Sequence, residues 1–183
     1  MYDVYMKLLA TFKAKDVEPN APHFDYDSFK PRKATRAIVF DGDKVALIHV
    51  KEHSYYMLPG GGIDEGEDVA AGLRREITEE LGCKVEMTGE VGSIEVYFDR
   101  WSKKQTDSCY TAKKVGLTTS TAPTGFEQQE GHNVIWAESL PDAIHLVEKA
   151  TPLNRDGKLV RARDLLFLNQ AASNSRSTDQ QSS

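Results

Sequence analysis

The chain has 183 residues, 28% of them charged and 39% apolar, and its 23 basic and 28 acidic side chains give a formal net charge of -5. That length suits one domain with additions rather than two full ones. The acidic balance argues against a general binder of nucleic acid or anionic membrane. The two cysteines, Cys83 and Cys109, have neither metal-ligand spacing nor a disulfide framework, so both are expected reduced and buried.

In chain order, Val4, Met6, Leu8, Ala10 and Phe12 alternate with Tyr5, Lys7, Leu9, Thr11 and Lys13, which predicts an N-terminal strand. Lys7 and Lys13 break up any apolar leader, and no run approaches about 18 apolar residues, so cytoplasmic residence without membrane association is the simplest expectation. From Val17 to Lys33, three prolines among Asp and Asn residues predict a linker or covering loop, which closes an N-terminal portion over residues 1–33. Ala34 to Phe40 and Lys44 to Val50 are apolar runs joined across Asp41-Gly42-Asp43, a hairpin signal. Tyr55 to Leu58 adds a short strand. It leads through Pro59 into Gly60, Gly61 and Gly62, a loop that permits positive φ and lets a ligand approach the backbone closely.

Val69, Leu73, Ile77 and Leu81 recur every fourth residue behind the acidic pair Glu67-Asp68, and Gly82 ends the pattern, so a helix is predicted. At about 100° per residue, Glu76 and Glu80 project close to Val69, with Glu79 just beyond them. Such carboxylates repel one another. A solvated acidic face with salt bridges such as Arg75 to Glu79 and Lys84 to Glu80 is the plain alternative, but it leaves unexplained why Glu76 and Glu80 flank the apolar stripe. A hard divalent cation with oxygen ligands explains that placement, and magnesium suits a carboxylate cluster that also leaves room for phosphate oxygens.

Beyond the helix, Lys84 to Met87, Gly92 to Asp99 and Ser108 to Leu117 predict a meander. Lys103 and Lys104, in the turn after Trp101, read as a solvated pair that could also meet substrate phosphate. Glu95, Tyr97, Gln105 and Tyr110 are candidate pocket walls as much as packing residues. Gly125 to Glu130 is a polar loop in which Glu127 and Glu130 are candidate bases, and His132 stands beside Glu130. Asn133 to Trp136 predicts a final strand. Ser139-Leu140-Pro141-Asp142 caps a helix to about Ala150, and a second helix is expected from about Asp156 to Asn169. The Ser, Asn and Gln-rich residues 170–183 have little to bury and are expected to be a disordered tail.

Gly61, Glu67, Arg75, Glu76, Glu79, Glu80 and Gly82, with six positions from Gly61 to Glu67 and eight from there to Arg75, closely resemble the Nudix box, and Leu58-Pro59-Gly60 resembles its usual lead-in. Only Cys83 departs, standing where the family places an aliphatic residue. The resemblance implies an α/β fold, a Nudix-type α/β/α sandwich with a mixed sheet, here over residues 34–169. It further implies hydrolysis of a nucleoside diphosphate linked to another moiety, with Mg2+ or Mn2+ as cofactor. By the same likeness Glu76, Glu79 and Glu80, with the carbonyl of Gly60, would hold the metal, and Glu67 would brace Arg75. The catalytic group would comprise Glu76, Glu79, Arg75 and Glu130; Glu76 is the first candidate base, Glu130 or Glu127 the alternatives. The expected partner is a small nucleotide-type substrate, with a homodimer possible.

No proline stands between Cys83 and Pro123, where the family's ADP-ribose hydrolases commonly carry one, and Tyr97 falls slightly short of the tyrosine common in dinucleoside polyphosphate hydrolases. A nucleoside triphosphate or related small nucleotide is therefore the expected substrate. A dinucleoside polyphosphate, an RNA 5′ end and a non-catalytic nucleotide-sensing role are the alternatives; the complete carboxylate set favours an enzyme.

Overall fold

A computed structural model describes residues 6–117 and 132–181. Its elements run β1 (Leu8–Phe12), a helical turn α1 (Ala14–Val17), β2 (Lys30–Asp41), β3 (Lys44–Val50), β4 (Tyr55–Met57), α2 (Val69–Leu81), β5 (Cys83–Phe98), β6 (Lys103–Leu117), β7 (His132–Ala137), α3 (Leu140–Lys149) and α4 (Arg155–Gln181). The strands form one sheet in the order β1-β5-β6-β2-β3-β4, with β7 paired to β3 as well. β1 with β5 and β2 with β6 are parallel, and the other pairs are antiparallel, so the sheet is mixed as expected.

Both faces of the sheet are covered, which is why β2 and β3 read as unbroken apolar runs rather than as alternating ones. Ala37, Val39 and Ala46 pack with Leu73 and Ile77 of α2, together with Cys83, Val85 and Ala112. Residues of opposite pleat parity, Ile38, Val45 and Leu47, join Val147 of α3 and Leu159, Phe167 and Leu168 of α4. The result is the α/β/α sandwich. Cys83 and Cys109 are free and buried, and burial pushes both thiols up, so the Cys83 departure from the box pattern is a core residue.

The β2–β3 hairpin turns as predicted, with Asp41 opposite Lys44 and Gly42 at φ +62°. Several boundaries differ from the sequence reading. β2 already begins at Lys30, inside the expected linker, because residues 30–33 pair with Lys103 to Thr106 of β6. Pro31 is tolerated since β2 has only one strand neighbour there. The N-terminal β1 is likewise built into the sheet, along β5. Where two strands were expected between Lys84 and Asp99, β5 runs continuously, and its glycines mark register shifts at Met87/Gly89 and Glu90/Gly92 rather than a turn. Past Asn169, where the sequence reading begins a tail, α4 continues to Gln181. Ala171 is buried there, and Ser173 and Ser175 donate back to the carbonyls of Asn169 and Ala171. No helix among the described residues is long and apolar enough to cross a membrane.

Candidate active site

The glycine loop lies along the open edge of β2. Thr35 N–H donates to Gly61 O at 2.9 Å, Ala37 N–H to Pro59 O at 3.0 Å and Ile63 N–H to Lys33 O at 3.1 Å. Gly60 has φ +128°, and a Cβ on it would stand 2.2 Å from the Thr35 carbonyl oxygen, so the backbones approach as only glycine allows. α2 starts at the foot of this loop, where Asp68 caps it by accepting from Ala71 N–H at 2.9 Å, and it ends at Gly82 in the left-handed conformation.

Arg75 is the hub of the helix face. Its Nε and Nη2 grip the two oxygens of Glu67 at 3.0 and 2.9 Å, Nη2 also donates to Gly62 O at 2.9 Å, and Nη1 reaches Glu76 at 2.8 Å. The bidentate pairing and an N–H of Asp64 hold the Glu67 carboxyl down at about 2, and Glu67 in turn raises the Arg75 pKa. Through Arg75 and the Asp64 N–H, Glu67 thus links the loop to the helix.

The Glu76 side chain is only 12% exposed and lies directly beneath Gly61, where a Cβ would come within 2.4 Å of its carboxyl carbon. Burial raises its pKa against the pull of Arg75, and the Glu79 charge raises it further. Glu79 is more open and lies 3.7 Å from Arg75 Nη1. Glu80 accepts from Gly60 N–H at 2.7 Å. The three carboxylates therefore surround the loop and the Arg75 guanidinium rather than converge. Among the described residues no three His, Cys, Asp or Glu side chains are close enough together to ligate one ion as they stand. The donor set nevertheless fits a hard cation: all its members are oxygens, Glu76 has its charge held in a desolvated spot, and the buried Oγ1 of Thr35, beside this loop, lacks a hydrogen-bond partner.

Gly60 O, the expected backbone ligand, is contacted by Arg36 Nη1 of β2. Arg36 belongs to a charged network that the sequence reading missed. Its Nε donates to Asp107 at 3.0 Å, Gln105 donates to both Asp107 oxygens at 3.0 and 2.9 Å, and Arg163 of α4 bridges Asp107 at 3.2 Å to Asp164 at 2.7 Å. Asp164 closes the network by accepting from Leu58 N–H at 2.8 Å. Burial alone would raise the Asp107 carboxyl, but Arg163 and Arg36 outweigh it and hold the group below its ordinary range. Charged residues inside apolar stretches, Arg36 between Ala34 and Phe40 and Arg163-Asp164 ahead of Leu165-Leu166-Phe167-Leu168, were the available signal.

Of the four candidate wall residues only Gln105 lines the cleft beside this network, and it also accepts from Arg32 at 2.5 Å. Tyr97 packs instead against Tyr26 and Phe29, Glu95 pairs with Lys104 at 2.7 Å, and Tyr110 packs on the α2 side. Lys103 does line the cleft. His132 sits in β7 opposite Val50, and Glu127 and Glu130 lie outside the described residues.

The NUDIX domain family model matches residues 30–154. The solved structure of a NUDIX hydrolase from Nitrosomonas europaea superposes with a TM-score of 0.59 at 16% identity, covering 79% of this chain and 90% of that one. The MutT protein of Methanosarcina mazei Go1 gives 0.55 at 18%, over 80% and 96%, and a MutT NUDIX hydrolase from Burkholderia pseudomallei gives 0.51 at 23%, over 73% and 97%. At these identities the likeness to the solved structures is one of fold. No curated protein sequence matches the chain.

Proposed function

The chain belongs to the Nudix family of phosphoanhydride hydrolases, and on that premise we propose that it is a metal-dependent pyrophosphohydrolase of a nucleoside triphosphate or related small nucleotide. The observation that carries this reading is the pairing of Glu76, desolvated beneath Gly61, with Glu80 on the Gly60 N–H, so that two box carboxylates lie against the same loop.

Glu76, Glu79 and Glu80, with the Gly60 carbonyl, would hold Mg2+ or Mn2+. The bound ion would supply charge neutralisation for the diphosphate and a water of lowered pKa. The protein's own groups do the rest. Arg75 occupies Oε1 of Glu76, which leaves Oε2 to take the proton of the attacking water; Glu130 is the alternative base. Water oxygen bonds to one phosphorus as the phosphoanhydride oxygen leaves, and the departing phosphate carries away the electron pair. Glu67 fixes the Arg75 guanidinium in place, because both of its oxygens are engaged by that group.

The test is a panel of nucleoside triphosphates, dinucleoside polyphosphates and nucleoside diphosphate sugars with Mg2+ or Mn2+, the products identified by mass spectrometry. Glu80→Gln should abolish metal-dependent turnover and leave the fold unchanged. Turnover equal to wild type would sink the assignment, and binding without any hydrolysis by the wild-type chain would favour a sensing module.

A further inference from the structure

Between the sheet and the first turns of α4 lies a cleft of about 340 Å³, at the lower end of small-molecule sites. Five cationic side chains line it, Arg32, Arg36, Arg100, Lys103 and Arg163, against the single carboxylate Asp156. Arg36 and Arg163 are matched by Asp107 and Asp164. The other three are not: among the described residues, Arg32, Arg100 and Lys103 form no salt bridge. Asp156 is their one counter-charge in the cleft, its pKa raised by burial and the nearby Asp99 against the pull of Arg100 and Arg155. Desolvation, and after it Arg36, lowers the Arg32 pKa against the pull of Asp107 and Glu76, so the bare cleft holds this charge at a cost.

The cleft adjoins the glycine loop. A Cβ at Gly62 would stand 2.7 Å from Nη2 of Arg32, and Glu76 is close enough to act electrostatically on that guanidinium. A ligand with its diphosphate at the box carboxylates therefore meets Arg32 next. The aromatic residues of the cleft are only partly open to a base. Tyr55 and Phe98 are 7% and 8% exposed, and the more open Trp101 carries the Arg100 guanidinium over its ring at 4.7 Å. The cleft therefore sets its five cations beside an apolar wall of Met57, Phe98, Trp101 and Val160.

We infer that the cleft is a subsite for a further phosphate, one carried by the substrate beyond the two joined by the cleaved bond, so that the chain selects nucleoside triphosphates and longer polyphosphates over nucleoside diphosphate sugars. The inference rests on the hydrolase reading for its catalytic meaning, but the subsite can be tested apart from it. Arg100 and Lys103 are both exposed at the cleft, so replacing them leaves the core untouched. Calorimetric titration of the full chain with inorganic tripolyphosphate, without added metal, should show binding that Arg100→Gln/Lys103→Gln weakens roughly tenfold and makes less salt-dependent. In turnover, the ratio of kcat/KM for a nucleoside triphosphate over a nucleoside diphosphate sugar should fall by roughly the same factor, through KM rather than kcat. Tripolyphosphate binding unchanged by the double substitution, or an unchanged ratio, overturns the subsite. Loss of tripolyphosphate binding in a chain that hydrolyses neither nucleotide upholds the subsite and rejects the hydrolase reading.

Discussion

Leu58 N–H and Asp164 Oδ2 form a 2.8 Å hydrogen bond across 106 residues of chain, tying the strand that enters the glycine loop to α4. Asp164 is fully buried and also neutralises Arg163. Replacing it by Ala leaves both a buried guanidinium and a backbone N–H short of an acceptor. We expect a loss of about 3–5 kcal/mol in urea unfolding, and a smaller loss for Asp164→Asn, which keeps an oxygen for Leu58. Equal, small losses for both would show that α4 does not secure the loop.

Glu76 is held where its charge is disfavoured, so function and stability should part company at this residue. Glu76→Gln keeps an acceptor for Arg75 and removes the buried charge. The expected result is a gain of roughly 1 kcal/mol, or about 2–4 °C in Tm, together with loss of metal-dependent hydrolysis. A lower Tm in calorimetry would contradict the burial argument.

Two glycines of the box should respond differently to alanine. At Gly61 a methyl group would collide with the Glu76 carboxylate, whereas at Gly66 nothing lies within 4 Å and only the φ of +81° is strained. Gly61→Ala should lower kcat by about a hundredfold through misplacement of Glu76. Gly66→Ala should reduce stability by roughly 1 kcal/mol with little change in kcat. Kinetics and denaturation of the two variants side by side decide the point.

Acid should release the buried network. The folded pKa of Asp107 is depressed, so its contribution to stability is fully present above the unfolded value of about 3.9 and is lost as the pH falls through the lower folded value. Unfolding free energy followed from pH 6 to pH 2 should fall below about pH 4 in the wild type. Glu67, with its carboxyl held down at about 2, adds loss over the same range. An Asp107→Asn variant should show a shallower fall, and curves of the same slope would count against the pairing.

What the sequence made legible was local. The helix over Val69 to Leu81 follows from an apolar period of four with Asp68 and Gly82 at its ends, and the β2–β3 hairpin from Asp41-Gly42-Asp43. The carboxylate positions were readable too, since rotation along one helix places Glu76 and Glu80 beside the core. Arg36 with Asp107 was not, because the two are 71 positions apart and no periodicity links them. β5 was misread as two strands, since Gly89 and Gly92 look like turn residues in sequence and act as bulges in the sheet. The extent of α4 escaped because, among the described residues beyond Asn169, Ala171 is buried and Ser173 and Ser175 bond back to the backbone without an apolar period to announce them.

Gly60 is gripped from two layers of the sandwich, its N–H by Glu80 of α2 and its carbonyl by Arg36 of β2, which Asp107 anchors. One residue thus fastens together two sets of side chains. Energies measured on one side cannot then be independent of the other: substitutions at Glu80 and at Asp107 should combine with an interaction energy on the order of 0.5–3 kcal/mol. The loop behaves thermodynamically as a shared hinge pin, and the carboxylate face of the box is tuned in part by charged residues of the sheet.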